Sequence, residues 1–198
     1  MKELLIATKN KGKAEEFKVF FERYGIIAKS LLDLQEDLPD IEETGETFEE
    51  NAALKSEGIA KILNIPVLAD DSGLVIDALG GKPGIYSARY AGEPKDDKKN
   101  IEKVLRELGD LPVEKRTARF VCVLSLSIPG NSTIYKKGTC EGVIGFEEKG
   151  IHGFGYDPIF IPEGYNQTLA ELGPDEKNKI SHRANAIKQL EEWIQNQQ

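Results

Sequence analysis

Ala118-Arg119-Phe120-Val121-Cys122-Val123-Leu124-Ser125-Leu126-Ser127-Ile128 is the stretch that decides the fold class. Ala118, Phe120, Cys122, Leu124, Leu126 and Ile128 alternate with Arg119, Val121, Val123, Ser125 and Ser127. A period of two over that length belongs to a long β-strand with two different faces. Pro129-Gly130-Asn131 reads as a turn, and Thr133 to Lys137 plus Thr139 to Ile144 read as strand again. Working outward, Leu4-Leu5-Ile6-Ala7 is a short apolar run expected to be a buried strand. Phe17, Phe20, Phe21 and Tyr24 recur at helical spacing, with Gly25 as a stop. Thr47 and Glu50 form a capping-box signal for a helix to about Leu63, with Phe48, Ala52, Ile59 and Ile62 on its buried side. Pro66 to Ala69 and Leu74 to Ile76 read as two strands on either side of Asp70-Asp71-Ser72-Gly73. A third helix carries Ile101, Val104, Leu105 and Leu108, starting near Asp96-Asp97 and ending at Gly109. A last helix carries Ala184, Ile187, Leu190 and Ile194 on one face. Helices thus flank a mixed sheet with an antiparallel meander at its centre, an α/β class with mixed α+β character.

Composition narrows the function. The chain has 198 residues, with 26 Lys and Arg against 34 Asp and Glu and a formal net charge of −8. That length suits a single domain, 1–198, able to bury a sizeable core. With 39% hydrophobic and 30% charged residues, the chain reads as globular. The acidic balance argues against a nucleic acid polymer as partner, which needs a basic footprint. No apolar run approaches the roughly 20 residues of a membrane span, so no membrane partner is expected. The first apolar run meets Thr8-Lys9-Asn10-Lys11 before a signal-peptide core could form, which makes the cytoplasm the expected compartment. Cys122 and Cys140 match no zinc spacing and read as buried free thiols. His152 and His182 are far apart, so any metal is expected to be hard and oxygen-bound.

Four segments carry candidate chemistry. Thr8-Lys9-Asn10-Lys11-Gly12-Lys13 lies between the first strand and the first helix, where free backbone N–H groups and the helix dipole seat phosphate. It is not a Walker A loop, and taken alone it reads equally well as a phosphate seat or a solvated lysine turn. Glu42-Glu43 and Asp70-Asp71 are acidic pairs. Adjacent carboxylates repel unless a cation or donor compensates, and Mg²⁺ suits that task, although Asp-Asp-Ser-Gly is also made of turn-forming residues. In Gly150-Ile151-His152-Gly153-Phe154-Gly155-Tyr156-Asp157-Pro158, glycines interleave with aromatic residues. Such a loop either lets a flat ligand stack or caps the core. Lys177-Asn178-Lys179-Ile180-Ser181-His182-Arg183 leads into the last helix, where Ser181 suits an N-cap and His182-Arg183 would then be exposed first-turn residues. Taken jointly, the four point to a metal-assisted nucleotide site.

The ordered set Ala7 to Lys13, Glu42-Glu43-Thr44-Gly45 with Thr47-Phe48 and Glu50-Asn51-Ala52, Ala69 to Leu74, Pro83 to Tyr90, Gly153 to Pro158 and Ser181-His182-Arg183 resembles the non-standard purine nucleoside-triphosphate pyrophosphatases, the inosine/xanthosine triphosphatase family. The likeness runs essentially end to end. It implies an elongated two-lobed fold around a long mixed sheet with a central active-site cleft. It also implies a homodimer, and Mg²⁺-dependent cleavage of ITP, dITP, XTP and dXTP to the monophosphate and pyrophosphate. Carried over residue by residue, it implies that Thr8, Lys9, Asn10, Lys11, Gly12 and Lys13 hold the triphosphate. Glu43 and Asp71 would bind Mg²⁺, Asp71 would act as general base, and Lys55 would neutralise charge developing on the phosphates. Ser72 and Lys177 would contact substrate, Phe154, Gly155, Tyr156 and Asp157 would form the nucleoside wall, and His182 and Arg183 would read the base. His152 stands where a second glycine is commoner in that family. Two other readings compete: a nucleotide pyrophosphatase of other base preference, and a non-catalytic nucleotide sensor.

Overall fold

A computed structural model describes residues 2–34, 38–39 and 41–196. The main elements are β1 (Glu3–Ile6), α1 (Lys11–Glu22), β2 (Ile27–Ser30), α2 (Phe48–Leu63), β3 (Val67–Ile76), α3 (Asp97–Leu108), β4 (Thr117–Ser127), β5 (Ile134–Ile144), β6 (Phe160–Pro162), α4 (Pro174–Ile180) and α5 (His182–Gln195). The strands form one sheet in the order β2-β1-β3-β4-β5-β6. β1 runs parallel to β2, with Leu4 opposite Ala28, and parallel to β3, with Leu5 opposite Val67. Parallel neighbours need long crossovers, and α1 and α2 provide them. β5 and β6 are antiparallel, with Val143 opposite Ile161, so the sheet is mixed. No helix among the described residues is long and apolar enough to cross a membrane.

The chain divides into two compact units, Met1–Asp71 with Val123–Lys136, and Ser72–Cys122 with Lys137–Gln198. In the first, Leu5, Ala7, Ile59, Ala60, Val67 and Ala69 form a core cluster. Phe17 and Phe21 of α1 are fully buried, and the Phe20 ring meets Phe21 edge-on at 4.9 Å. The Thr47 hydroxyl caps α2 by accepting the Glu50 N–H at 3.1 Å. The return bond of a capping box is displaced by one residue, because the Glu50 carboxylate accepts from Glu46 N–H at 2.7 Å. Ile62, expected on the buried side of α2, is 52% exposed. The buried stripe runs instead through Ala52, Ser56, Ile59 and Ala60, and the helical repeat rotates Ile62 off it.

That stripe also explains why β4 is not half-exposed. From Phe120 to Ser127 every residue of β4 is buried, including those expected on a polar face. Interior strands are covered on both sides, and buried hydroxyls there must find partners. They find each other. Ser56 Oγ lies 2.7 Å from Ser125 Oγ and 2.8 Å from Ser127 Oγ, Ser127 Oγ lies 3.2 Å from Thr133 Oγ1, and Thr133 donates to Glu57 Oε1 at 2.6 Å.

The core of the second unit includes Leu74, Ile76, Val104, Phe120, Ile144 and Phe160. Asp96 caps α3 by accepting the Lys99 N–H at 3.1 Å, and Gly109 ends the helix with φ of 49°. Arg116 is 1% exposed. Its guanidinium donates to the carbonyls of Ile144 (2.9 Å), Gly145 (2.8 Å), Gly109 (3.0 Å) and Leu111 (3.4 Å), and lies 4.4 Å from the Phe146 ring centroid. Ser181 caps α5, accepting the Ala184 N–H at 3.2 Å. The buried stripe of α5 is His182, Ala186, Leu190 and Ile194, while Ala184 and Ile187 are only half-buried.

β5 runs unbroken through Gly138, where two strand segments were expected. At that glycine the backbone of α5 comes so close that an added Cβ would sit 2.2 Å from both Ala186 N and His182 O. Gly138→Ala is therefore expected to destabilise the fold by about 1–3 kcal/mol or more, since backbone must move to admit the methyl group. Urea unfolding with an unchanged midpoint would contradict this close approach.

Candidate active site

The first unit assembles the acidic and lysine-bearing segments. α1 starts immediately after the Thr8-to-Asn10 turn, with Asn10 as N-cap accepting the Lys13 N–H at 3.1 Å. Thr8 Oγ1 accepts the Asn10 N–H at 3.1 Å, so this side chain shapes the turn that precedes the helix. Lys11 and Gly12 are exposed in the first turn of α1, and Lys9 is exposed just before it. A helix N-terminus with open backbone N–H groups and nearby lysines favours an anion.

Asp70-Asp71-Ser72-Gly73, expected as a turn between two strands, lies inside β3, which runs without a break from Val67 to Ile76. Both carboxylates are buried, Asp70 at 4% and Asp71 at 8% exposure. Compensation by lysine makes the extended conformation tolerable there. Lys13 Nζ donates to Asp70 Oδ2 at 2.7 Å. Lys55 Nζ, reaching from α2, donates to the Asp70 carbonyl at 2.7 Å and to Glu43 Oε1 at 2.8 Å, and lies 3.9 Å from Asp71 Oδ1. Burial pushes the Asp71 carboxyl up to about 6, with Lys55 opposing and Glu43 and Asp70 adding to the rise. Burial pulls Lys55 downward, but Asp70, Asp71 and Glu43 outweigh it and hold the ammonium above its ordinary value.

Glu43 is placed by a backbone device. Gly45 N–H donates to Asn51 Oδ1 at 2.8 Å, and a Cβ on Gly45 would lie 2.6 Å from Glu50 Cβ and 2.7 Å from Asn51 Oδ1. Asn51, 1% exposed on α2, therefore anchors the segment that carries Glu43. The sequence offered a signal for it, a buried-side amide four residues after Thr47, but no chemistry pointed to its role. A cavity of about 270 Å³ opens beside Thr8, Lys9, Glu43 and Lys55, backed by Leu31 and Ile59.

Three carboxylates, Glu43, Asp70 and Asp71, thus face two ammonium groups, Lys13 and Lys55. Among these five groups one negative charge is in excess, and every acidic donor is a hard oxygen. The set fits a Mg²⁺-like cation, which takes one or two protein carboxylates and completes its shell with water and phosphate oxygens. Among the described residues no three His, Cys, Asp or Glu side chains already form a closed metal cage.

The second unit holds the remaining expected residues. Phe154 is 42% exposed, with the Lys177 ammonium 4.8 Å from its ring centroid. Asp157, 3% exposed, accepts from Lys177 Nζ at 2.5 Å and from Phe154 N–H at 3.0 Å. Gly153, at φ of 78°, leaves the room this needs, since a Cβ there would be 2.0 Å from Asp157 Oδ2. Tyr156 is in the core, its hydroxyl donating to the Ser87 carbonyl at 2.7 Å. Gly155 N–H donates to Asp97 Oδ2 at 2.9 Å. His152 is exposed, its N–H bonded to the Ala170 carbonyl at 3.0 Å. Ser72 is half-buried on β3. His182 and Arg183, expected to be exposed if they merely opened the last helix, are 7% and 3% exposed. The His182 ring stacks on Phe120 at 4.8 Å and 15°.

Fold and site together define a mixed α/β protein with lysines and carboxylates clustered beside a helix N-terminus. A dITP/XTP pyrophosphatase from Oceanobacillus iheyensis is 63% identical over 194 residues, covering 98% of both chains. One from Halalkalibacterium halodurans is 59% identical, covering 98% of this chain and 100% of the relative. The structure of the Staphylococcus aureus Ham1 protein superposes with a TM-score of 0.92 at 50% identity over all of both chains. The model of the Ham1 family matches residues 4–193, and the chain belongs to that family.

Both cysteines are buried thiols, as expected. Burial, with Glu141 and Asp157 nearby, pushes the Cys140 thiol up to about 11. At pH 8 only on the order of one Cys140 in a thousand is then thiolate, the reactive form. Native protein should release almost no thionitrobenzoate from Ellman's reagent at pH 8, and denatured protein should release two equivalents. Rapid reaction of the folded protein would contradict the buried placement.

Proposed function

We propose that the chain hydrolyses the α–β phosphoanhydride of dITP and XTP, and likewise of ITP and dXTP, to the nucleoside monophosphate and pyrophosphate. The reaction clears deaminated purines from the nucleotide pool. The observation that carries this reading is the cluster of Lys13, Lys55, Glu43, Asp70 and Asp71 beside the N-terminus of α1. Relatives named dITP/XTP pyrophosphatase, 54–63% identical over nearly the whole chain, support it.

Thr8, Asn10 and Lys13 hold the triphosphate, with backbone N–H groups of the turn and Lys9, Lys11 and Gly12 lining its approach. Lys13 and Lys55 are held in place by carboxylates and a carbonyl before substrate arrives, so little reorganisation accompanies charge development on the phosphates. Glu43 and Asp71 are the carboxylates that would hold Mg²⁺. When bound, the cation would offset phosphate charge and make an attacking water more acidic. Asp71 takes a proton from the attacking water as the water oxygen bonds to the α-phosphorus and the bond from that phosphorus to the α–β bridging oxygen breaks, releasing pyrophosphate. Ser72 and Lys177 contact the nucleotide, and Phe154 supplies an aromatic face for the nucleoside. Gly155, Tyr156 and Asp157 shape the loop that presents it.

Arg183 only donates hydrogen bonds, and His182 donates from its ring or its backbone N–H. Donors facing purine position 6 donate to the keto oxygen of hypoxanthine or xanthine and leave the amino group of adenine unmatched. This reading takes the whole chain, 1–198, as one functional domain. It acts as a homodimer in the cytoplasm, where free nucleoside triphosphates are made and used.

Incubation with dITP and Mg²⁺ should yield pyrophosphate and dIMP. Orthophosphate as product, or binding without turnover, would overturn the reading in favour of another hydrolase or a sensor. Asp71→Asn keeps the side-chain shape and should lower kcat by at least ~10²-fold, the lower end for loss of a general base. Near wild-type kcat with an intact fold would remove Asp71 from the chemistry. Arg183→Ala should narrow the gap in kcat/KM between ITP and ATP, while Phe154→Ala should weaken ITP and XTP alike. An Arg183→Ala enzyme with undiminished preference for ITP would refute the donor reading of the base.

A further inference from the structure

Two carboxylates hold consecutive backbone N–H groups of the aromatic loop. Asp157 accepts from Phe154 N–H at 3.0 Å, and Asp97 accepts from Gly155 N–H at 2.9 Å. Asp157 belongs to the loop itself, whereas Asp97 is 58 positions away in sequence, on the first turn of α3. Gly155 has φ of 59°, a left-handed conformation that turns the chain sharply just after Phe154. The direction in which the Phe154 ring leaves the backbone therefore depends on how this turn is held.

Asp97 is the acidic residue of the first turn of α3, and the helix dipole favours a carboxylate anywhere near that end without fixing its reach to Gly155. Asp96 caps the helix, and the other Asp97 oxygen pairs with Lys95 at the longer distance of 3.5 Å. Three residues on, on the same face of the helix, Asn100 is 2% exposed. Its side chain accepts the Ala91 N–H at 2.7 Å and donates to the Ala88 carbonyl at 3.0 Å and the Ser87 carbonyl at 3.4 Å. The Ser87 carbonyl also accepts the Tyr156 hydroxyl at 2.7 Å, and Ser87 Oγ is fixed in turn by Leu74 N–H and the Gly84 carbonyl. One turn of α3 thus holds both the 84–91 segment and the aromatic loop. Phe154 lies between two tethered positions while its own ring remains partly exposed.

We propose that Asp97 is a positioning residue for nucleoside binding, acting through Gly155 N–H to hold the Phe154 ring in its stacking orientation. The inference rests on the reading of Phe154 as a nucleoside wall. Asp97 touches no substrate atom and takes no part in bond cleavage. Its effect belongs in KM rather than in kcat, because a contact made equally in ground and transition states alters binding alone.

The test is a double-mutant cycle on the full-length enzyme with dITP, using Asp97→Ala, Phe154→Ala and the pair, with Asp97→Asn as the conservative control. Asp97→Ala should raise KM for dITP about tenfold, the scale of one lost hydrogen bond to a charged group, with kcat within about twofold of wild type. Asp97→Asn keeps an acceptor oxygen and should recover most of the loss. The double variant should bind dITP no worse than Phe154→Ala alone, which is the signature of acting through that ring. Inhibition by inorganic tripolyphosphate, which has no base to stack, should be unchanged in Asp97→Ala. A raised KM in Phe154→Ala with an unchanged KM in Asp97→Ala overturns the role of Asp97 alone. So do losses that simply add, or tripolyphosphate inhibition that weakens in parallel with dITP binding. An unchanged KM in Phe154→Ala overturns the nucleoside-wall reading and this proposal with it.

Discussion

Burying two adjacent aspartates in the middle of a strand is the constraint on which the first unit is built. Asp70 and Asp71 sit in β3 at 4% and 8% exposure, where an uncompensated carboxylate would cost several kcal/mol. Lys13 from α1 and Lys55 from α2 answer that cost from two different helices. Each lysine can do so only if its helix starts where it does. Asn10 fixes the first turn of α1 and Thr47 the first turn of α2. Glu43 then completes the set, held to Lys55 directly and through Gly45 and Asn51 by the backbone. Caps, glycine and ion pairs are parts of one arrangement.

The same compensation explains what could and could not be read beforehand. Helices announced themselves because their apolar stripes and caps are local. Phe17, Phe20 and Phe21 mark α1, and Asp96 and Gly109 bracket α3 where spacing puts them. Asp-Asp-Ser-Gly misled because turn propensity is local too, whereas the lysines that let it stay extended come from 57 and 16 positions away. Ser125 and Ser127 misled for a similar reason. A serine reads as an outward-facing residue until another element supplies a hydroxyl opposite, and here Ser56 does. On α5, the apolar pattern could not foresee that His182 would find an aromatic surface in Phe120.

The candidate site was legible to different depths. Lys13, Glu43 and Asp71 stood out by their own chemistry and Lys55 only through the family resemblance, and the structure gathers the four in one unit. The backbone-holding roles of Asn51, Ser87 and Asp97 were not found, although all three lie within the motifs and helix signals of the sequence. Their partners are N–H and C=O groups, which every residue carries, so no pattern of side chains distinguishes them. Tyr156 and Asp157 show the converse. Both stand out in the loop motif, and both turn inward to serve its shape.

Arg116 gives the second unit a fastening of another kind. Its guanidinium is surrounded by the oxygens of Gly109, Leu111, Ile144 and Gly145 and by the face of Phe146. Peptide dipoles neither titrate nor attract counterions, and the arginine keeps its proton across the whole working range of proteins. Acid that would discharge Asp71, and salt that would weaken the attraction of the buried carboxylates to lysine, leave this junction as it was. The ion pairs of the first unit are tuned by the ionic medium, whereas this junction of the second unit is anchored by a charge that the medium cannot reach.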